Sequence, residues 1–461
     1  MNPRIILPVL WLAALMAYVL AGIGVTPFHG DESTQIYMSH DYAYTFQQRD
    51  LQTVFYAENP ASPQEQDLRL LNGTVNKYTI GAAWDAAGLS VDNVNEQWDW
   101  GADFIYNVTT GHHPGDVLLP VARVPSALFT AASVLLVFAI GWQIGGAPVA
   151  YMASLLYAVN PVILVNGRRA MMEGSMLFGG VLVVYCGVLL VENGFRWRDV
   201  ILLGGAAGFA VATKHNNVFA VVMVFLACLV AVFLTQRRKD AKTQRRGEAM
   251  PPQTNPKNND NVGGPWGRPY RLIALIFVAG CISLMVFYAL NPAWWPNPLA
   301  AAGAVIDLRT NLLAVQTEFF GTYESLPAQM AGFWRQAVVC RPMFYEVAGW
   351  ETYIAEQITV YERSPWSGLR LPVFISAPLM LVGIVALWRQ RSPACLIILV
   401  WAVGVAMLTT LLTPLEWQRY YLPAVPGLLV LAAHGAVIIA KRALHHFEHL
   451  RRQTTDPQAA P

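Results

Sequence analysis

Charged residues are scarce in this sequence. Only 13% of the 461 residues are Asp, Glu, Lys or Arg, while 55% are hydrophobic and the mean hydropathy is +0.39. Soluble domains carry about one quarter charged residues, so the composition excludes a soluble globular chain and predicts that lipid surrounds most of it. The formal net charge is only +2. The chain therefore lacks the basic surface that binding to nucleic acid requires.

Cysteines are few, and a cleavable leader is not indicated. Four of the five cysteines lie in apolar runs and only Cys340 lies in a polar segment, which argues against an intramolecular disulfide framework. Residues 1–25 hold about twenty nearly uninterrupted apolar residues and no small-x-small cleavage pattern, which exceeds the core of a signal peptide. We expect this stretch to be a retained membrane span.

Long apolar runs predict the fold class. A bilayer-crossing helix needs about 17–25 apolar residues, and the run 199–213 is the shortest of those found. The expected architecture is an all-α polytopic membrane protein of about ten transmembrane helices. The runs lie at 4–25, 120–141, 148–166, 172–191, 199–213, 217–235, 271–290, 370–388, 394–413 and 421–440.

Positive charge predicts the orientation of these spans. Lysines and arginines concentrate in residues 236–270 and in the turns with Arg196/Arg198 and Arg389/Arg391, which the positive-inside rule assigns to the cytoplasm. The loop 236–270 is expected to be disordered, because its central part is rich in Pro, Asn and Gly and lacks apolar periodicity. The chain then divides into a first span (1–25), an extracytoplasmic segment with catalytic acids (26–119), spans two to six (120–235), the basic cytoplasmic loop (236–270), a seventh span (271–290), an extracytoplasmic segment or lid (291–369), three final spans (370–440) and a cytoplasmic tail (441–461).

Two adjacent acids, Asp31 and Glu32, follow the first span. One interpretation is structural, because acids in the first turn of a helix interact favourably with its dipole. The other is chemical, because carboxylates beside the membrane are suited to general base catalysis. The second interpretation gains weight from the charges found elsewhere on the same predicted face.

A second charged cluster joins two spans on that face. Arg168 and Arg169 occupy a position that the positive-inside rule disfavours, and Arg169 with Glu173 would be neighbours four residues apart on a helix. An interfacial ion pair is the simpler alternative. Further cations are predicted at the same depth: Lys77, Lys214 and Arg419, together with His112, His113 and His215.

Acids and cations at one depth suit the transfer of a sugar from a polyprenyl phosphate. The leaving phosphate has a second pKa of about 6, so it can depart without a general acid where fixed positive charges receive it. The acceptor hydroxyl needs a base, and one carboxylate suffices for an inverting displacement. Asp31 is the candidate base. Glu32 or Glu173 could orient the acceptor, or Asp31 and Glu173 could hold a divalent metal, although no ligand spacing demands one and no cofactor is certain.

Several motifs, in order, resemble a known family. They are Gly30-Asp31-Glu32 with Tyr37, Asn72-Gly73 with Lys77, Ala122-Arg123-Val124-Pro125-Ser126-Ala127, Arg168-Arg169-Ala170-Met171-Met172-Glu173, and Trp417-Gln418-Arg419-Tyr420-Tyr421-Leu422-Pro423. Together they resemble the multispanning, lipid-phosphate-sugar-dependent glycosyltransferases of the GT-C type. That group includes the protein O-mannosyltransferases and the lipid A aminoarabinose transferases.

The resemblance implies a GT-C-like helical bundle with extracytoplasmic juxtamembrane helices. It implies that Asp31 is the catalytic base and that Glu173 is the second acid of the site. It also implies that the donor phosphate meets cations, for which the candidates are Lys77, Arg168, Arg169, Lys214 and Arg419. Candidate substrate contacts are Tyr37, His112, His113, Trp417 and Tyr420.

The chain departs from the family pattern in two places. Many relatives have Asp where this chain has Glu173, and several branches have Lys-Pro-Pro where it has His112-His113-Pro114. These departures leave metal use and the branch of the family open. Adjacent histidines lack zinc-ligand spacing, so a metal role for His112 and His113 is the weaker interpretation. Trp294, Trp295, Trp350 and Trp366 are interpreted as interfacial anchors rather than sugar platforms.

The sequence thus favours a membrane glycosyltransferase of the cell envelope, expected in the bacterial inner membrane, with an extracytoplasmic active site. Its expected partners are a polyprenyl-phosphate sugar, the lipid bilayer, and an acceptor that could be a protein, a lipid or a glycan. A transporter or lipid flippase is the alternative, although transporters concentrate ionisable residues near the bilayer midplane. A non-catalytic scaffold with the same architecture is a third.

Overall fold

The computed structural model describes residues 3–249, 268–347 and 349–455. Within these ranges every regular element is helical, which confirms the all-α fold class. The bounds of the longer helices are Pro3–Ala21, Gly30–Tyr37, Pro63–Leu71, Thr74–Ala86, Leu118–Gly145, Ala147–Ala158, Pro161–Gly167, Glu173–Glu192, Trp197–Thr213, Val218–Ala249, Arg268–Leu290, Pro298–Phe320, Leu326–Phe333, Ala355–Arg363, Val373–Gln390, Pro393–Leu412 and Val425–Thr455.

In the described ranges, nine helices are long and apolar enough to cross a membrane, and a bent pair brings the number to ten. Eight of the ten predicted spans are among the nine. Of the other two, one is the bent pair and one is the helix Trp197–Thr213, which has 17 residues. The chain is a multi-pass membrane protein.

The predicted span 148–166 is not straight. It consists of Ala147–Ala158 and Pro161–Gly167, with a bend of 57° between them. The bend lies at Asn160-Pro161 because proline cannot donate a backbone hydrogen bond and disfavours a helical residue before it. The Asn160 side chain then caps the second helix by accepting the amides of Val162 at 3.0 Å and Ile163 at 3.1 Å. The buried second helix leads directly into the Arg168-Arg169 turn.

The short helix Trp197–Thr213 is stabilised by close packing. At 1.5 Å per residue it is about 26 Å long, slightly less than the hydrocarbon core of a bilayer. It packs against Arg268–Leu290 through Gly204, where a Cβ atom would lie 2.6 Å from the carbonyl oxygen of Ala279. Gly208, one turn later, faces the same helix. Small residues at this spacing allow two helices in lipid to approach closely.

The segments 26–117 and 291–372 lie at the same end of the helical bundle, together with the turns at 168–172, 214–217 and 413–417. We call this end the Asp31 face. The predicted lid 291–369 contains the helix Pro298–Phe320, which is long and apolar enough to cross a membrane. Its contacts show that it lies along the Asp31 face. Arg309 in its middle donates to the Leu71 carbonyl, and Phe320 at its end packs on Trp417 with ring centroids 5.2 Å apart.

A crossing helix of 23 residues would separate its ends by about 34 Å, which these contacts do not allow. Its outward residues Leu299, Ile306 and Phe319 are exposed and apolar. Asp307, Asn311 and Glu318 are exposed as well, so the helix presents polar and apolar residues to its surroundings together. We call Pro298–Phe320 the interfacial helix.

Two predicted loop boundaries are wrong. Residues 236–249, predicted to be disordered, continue the helix Val218–Ala249, because this stretch is rich in the strong helix formers Lys, Arg, Gln, Ala and Glu. Residues 268–270 begin the next helix. The rest of the predicted disordered loop, 250–267, lies outside the described residues. The predicted tail continues the last helix to Thr455, and residues 456–461 lie outside the described ranges.

Candidate active site

A capped helix presents the two adjacent acids. His29 precedes the helix Gly30–Tyr37, and its Nδ1 atom accepts the Asp31 amide at 3.1 Å. The Glu32 carboxylate accepts the His29 amide at 3.1 Å, which completes a capping box. We call this the Asp31 helix. Because neighbouring residues on a helix point in different directions, Asp31 faces a cavity and Glu32 turns into the interior.

Glu32 is fully buried and satisfied by four donors. Arg123 donates from Nε and Nη2 at 2.7 and 2.8 Å, the Ala170 amide donates at 2.8 Å, and the His29 amide completes the set. Burial alone would raise the pKa of Glu32, but the Arg123 guanidinium outweighs it and holds this pKa below its usual value. Glu32 does not line the cavity. Its contacts hold the start of the Asp31 helix in place, and its catalytic role stays a prediction.

Asp31 lies in a cavity of about 430 Å³ on the Asp31 face, within the usual size range of small-molecule sites. Its wall combines three acids, three cations, several aromatic rings and several amides, in a membrane protein whose charged residues are scarce. These residues are Asp31, Glu173, Glu346, Lys214, Arg309, Arg419, Trp100, Phe320, Trp350, Trp417, Tyr420, Gln35, Asn72, Gln97 and Gln316.

Arg419 joins two of the acids. One guanidinium nitrogen contacts Asp31, and Nε lies 3.3 Å from Glu346 Oε1. The guanidinium also lies 5.4 Å from the Trp417 ring and 5.8 Å from the Tyr420 ring, within cation-π range. The structure thus brings together Asp31 and Arg419, both predicted site residues, and adds Glu346.

Glu173 and Lys214 form a second pair in the wall, with Lys214 Nζ at 2.5 Å from Glu173 Oε1. The predicted neighbour relation between Arg169 and Glu173 is absent, because the helix begins only at Glu173 and the preceding turn is not helical. Lys214 follows the last turn of Trp197–Thr213 in extended conformation, which directs it towards the start of Glu173–Glu192.

Glu346 is a site residue that the sequence did not reveal. Its Oε2 atom lies 2.6 Å from His29 Nε2. Burial raises the pKa of Glu346 to about 7, and the nearby positive charges of Arg169 and Lys214 oppose this rise. His29 and Glu346 are 317 residues apart in the chain. No local motif surrounds Glu346, so only tertiary structure identifies it.

Arg309 is the other cation that sequence reasoning missed. It lies on the interfacial helix, donates to the Leu71 carbonyl and lines the cavity. Among the described residues no carboxylate lies within ion-pair distance of it. A predominantly apolar helix of 23 residues that carries Asp307 and Arg309 was a signal available in the sequence. Arg309 supplies positive charge that no acid in the described structure neutralises.

Lys77 does not line the cavity, contrary to its predicted role at the donor phosphate. It is 2% exposed, and its Nζ atom lies 2.5 Å from Asp41. Arg69 contacts the same carboxylate at 2.7 Å and Glu65 at 2.9 Å. Burial lowers the pKa of Lys77, and Asp41 opposes this effect. The network stabilises the packing of Thr74–Ala86 against the first loop and leaves Lys77 no access to a ligand in the cavity.

Arg168 and Arg169 also lie outside the cavity, at 0% and 1% exposure. Arg168 donates to the carbonyls of Val19 at 2.7 Å, Tyr18 at 2.8 Å and Trp366 at 2.5 Å. It therefore satisfies the free carbonyls at the end of the first helix, where a cation is favourable. Arg169 donates to the carbonyls of Pro27 at 3.1 Å and Phe344 at 2.8 Å. Both arginines therefore donate hydrogen bonds to backbone carbonyls, and neither guanidinium lines the cavity.

Three of the predicted substrate-contacting residues lie outside the cavity. Tyr37 donates to Glu65 at 3.2 Å, the His112 ring contacts the Gln97 carbonyl, and His113 packs on Phe28 with ring centroids 4.4 Å apart. Trp417 and Tyr420 do line the cavity. Within the described ranges, no three His, Cys, Asp or Glu side chains are grouped as a metal site would need. The two predicted metal ligands, Asp31 and Glu173, each contact a cation instead.

Trp350 is a cavity residue, although the sequence suggested an interfacial anchor. It stacks on Trp100 with ring centroids 5.5 Å apart and an interplanar angle of 10°. Both rings line the wall that contains Asp31. Trp294 and Trp366 do not reach this cavity.

Comparison with known proteins gives a family match over part of the chain and a similar fold. Residues 103–290 match the family model described as dolichyl-phosphate-mannose-protein mannosyltransferase. No curated protein sequence matches the chain. Among solved structures, the chain is similar to the Archaeoglobus fulgidus oligosaccharyltransferase in its apo form, with 11% identity and a TM-score of 0.51, over 96% of this chain and 52% of that one.

Two further structures are similar at lower scores. ArnT from Cupriavidus metallidurans bound to undecaprenyl phosphate has 14% identity and a TM-score of 0.49, over 93% of this chain and 59% of that one. The Saccharomyces cerevisiae Pmt1-Pmt2 complex bound to the sugar donor has 14% identity and a TM-score of 0.40, over 63% of this chain and 34% of that one. The chain thus spans less than two thirds of each of these proteins. The predicted resemblance is confirmed: residues 103–290 match the dolichyl-phosphate-mannose-protein mannosyltransferase family, and the helical bundle has the GT-C-like fold.

Proposed function

We propose that the protein is a membrane glycosyltransferase that moves a sugar from a polyprenyl-phosphate donor to an acceptor hydroxyl. The observation that carries this proposal is the meeting of Asp31 with Lys214, Arg309 and Arg419 in one cavity at the membrane-proximal end of the bundle. The family description names a dolichyl-phosphate sugar as donor and a transferase as activity, which supports the class of reaction.

The donor side of the site is cationic and apolar at once. Arg309 lies on the interfacial helix, which exposes the apolar residues Leu299, Ile306 and Phe319, so a lipid-linked phosphate can keep its chain against these residues while its head reaches the cavity. Arg309 and Arg419 offer guanidinium groups, which bind phosphate oxygens in pairs. Lys214 adds a third positive charge, partly neutralised by Glu173.

The proposed reaction is a single displacement. Asp31 takes the proton of the acceptor hydroxyl, and the acceptor oxygen bonds to the anomeric carbon of the sugar. The bond from that carbon to the phosphate oxygen breaks, and its electron pair stays on the released polyprenyl phosphate. Attack opposite the leaving group inverts the anomeric configuration. The fixed cations stabilise the charge that develops on the phosphate, and no general acid is needed because the phosphate is a weak base.

We propose that the cavity opens on the extracytoplasmic side of a bacterial inner membrane. The turns with Arg196/Arg198 and Arg389/Arg391 and the helix end at 236–249 lie at the opposite end of the bundle from the Asp31 face. Excess Lys and Arg in short loops favours the cytoplasmic side. The opposite, Asp31-bearing end then faces outwards.

Purified full-length protein in detergent, incubated with a panel of polyprenyl-phosphate sugars, tests the proposal. The expected result is release of free polyprenyl phosphate, with loss of at least about a hundredfold in rate for Asp31→Asn. Asp116→Asn, an exposed aspartate in the same segment, is the matched control and should behave as the unmodified protein. Full activity of Asp31→Asn would refute the assigned base. Uptake of a labelled solute into proteoliposomes without polyprenyl phosphate release would favour the transporter instead.

A further inference from the structure

The candidate base is occupied in this structure. Asp31 contacts the Arg419 guanidinium, so an acceptor hydroxyl would compete with a charged donor for the same carboxylate. A charge-assisted pair of this kind is stronger than a neutral hydrogen bond. The arrangement keeps Asp31 from acting as a base until Arg419 moves.

Glu346 faces Arg419 from its other side, in an electrostatic contact rather than a hydrogen bond. Its Oε1 atom lies 3.3 Å from Arg419 Nε, while Arg419 reaches Asp31 through a terminal nitrogen. Arg419 therefore has one carboxylate at each end of its guanidinium. A bound phosphate can replace Asp31 at the terminal nitrogens while Nε stays with Glu346.

Glu346 is itself fixed to the Asp31 helix. His29 Nδ1 accepts the Asp31 amide, so the ring proton of neutral His29 is on Nε2 and is donated to Glu346 Oε2 at 2.6 Å. Tyr345 stacks on the His29 ring with centroids 4.4 Å apart, and its hydroxyl accepts the Gly30 amide at 2.7 Å. The Asp31 helix and the Glu346 carboxylate are thus joined through His29 and Tyr345, while Arg419 lies between Asp31 and Glu346.

We propose that Glu346 is a positioning residue that keeps Arg419 between Asp31 and the donor phosphate, so that arrival of the phosphate transfers Arg419 away from Asp31 and frees the base. Donor binding then precedes base catalysis. This inference rests on the proposed glycosyl transfer.

The order of events predicts an unusual effect on affinity. Asp31→Asn removes the carboxylate that competes with phosphate for Arg419. Purified Asp31→Asn should bind polyprenyl phosphate about tenfold more tightly than the unmodified protein, measured by calorimetry in detergent. Affinity that is unchanged or weaker in Asp31→Asn would overturn the proposal. Thermal unfolding of both proteins checks that the fold is retained.

Glu346→Gln tests the positioning role. Without the second carboxylate, Arg419 interacts with Asp31 alone, and the transfer rate kcat should fall about tenfold. Glu346→Asp, which restores the charge, should recover most of the loss. Glu356→Gln, an exposed glutamate of the same segment, is the matched control and should leave kcat unchanged. A Glu346→Gln protein that is folded and fully active would refute the positioning role.

The pH profile separates positioning from a purely structural role. Burial raises the pKa of Glu346 to about 7, and only its ionised form holds Arg419, so the rate should rise as pH passes through about 7. The charged and titratable groups facing Glu346 are His29, Arg169, Lys214 and Arg419. Burial keeps the pKa of His29 well below its ordinary value, so His29 stays neutral through this range. In Glu346→Gln the rise of the rate near pH 7 should disappear. A rise that remains in this variant would contradict the proposal.

Failure of the inference and failure of the proposed function are distinguishable. If the unmodified protein neither binds polyprenyl phosphate nor releases it from a sugar donor, the proposed function is wrong and the inference is wrong with it. If the unmodified protein does both while Asp31→Asn binds no more tightly and Glu346→Gln keeps the rate and pH profile, only the inference is wrong.

Discussion

Glu32→Gln separates the two adjacent acids by their physical roles. The Glu32 carboxylate accepts four hydrogen bonds, from Arg123 twice and from the amides of His29 and Ala170. A glutamine side chain offers only one oxygen. The NH2 group of the glutamine would face an N–H donor in place of an acceptor. The Arg123 guanidinium would keep its bonds to the carbonyls of Ile23 and Thr26 but lose the negative charge that neutralises it. Breaking a buried ion pair from one side costs about 3–5 kcal/mol of unfolding free energy.

The expected outcome is a folding defect rather than a catalytic one. Thermal unfolding of Glu32→Gln in detergent should begin at a clearly lower temperature, while the protein that remains folded should transfer sugar at a rate within about threefold of the unmodified protein. Asp31→Asn should show the reverse, with retained stability and lost transfer. Because the pKa of Glu32 is lowered in the folded state, its stabilising contribution is present above the unfolded pKa and is lost as pH falls through the folded pKa. A Glu32→Gln protein of full stability that loses transfer a hundredfold or more would refute this reasoning.

Three other results are expected. Arg309→Gln should raise the KM for the donor about tenfold with a smaller effect on kcat, measured by polyprenyl phosphate release, and an unchanged KM would remove Arg309 from the phosphate site. Lys77→Gln should lower the thermal stability without weakening polyprenyl phosphate binding, because Lys77 pairs with Asp41 in a buried network and does not line the cavity; weaker binding by a stable variant would contradict that position. Gly204→Val should destabilise the protein by at least about 2 kcal/mol, because its side chain would meet the Ala279 carbonyl, and a stable variant in thermal unfolding would show that the two helices can separate.

The amino-acid sequence by itself determined the helices and their environment. Apolar runs must bury every backbone polar group inside a helix when lipid replaces water, so eight predicted spans could be located from composition and length alone. The start of the Asp31 helix was also locally encoded, because His29 and Glu32 cap it through contacts within three residues. The sequence also predicted that Arg419, Lys214 and Glu173 lie near Asp31, because they lie at helix ends on one face, and all three line the cavity.

Tertiary structure alone decided which charges reach the cavity. Arg168, Arg169 and Lys77 have the residue types and the depth expected of phosphate ligands, yet none lines the cavity, and they interact with buried carbonyls and with Asp41. Glu346 enters the site through a contact with His29 across 317 residues, a pairing that no local pattern encodes. A short charged motif determines that a residue must find a partner, because an isolated charge cannot be buried. Whether that partner is the protein's own backbone or a bound phosphate depends on how distant segments pack.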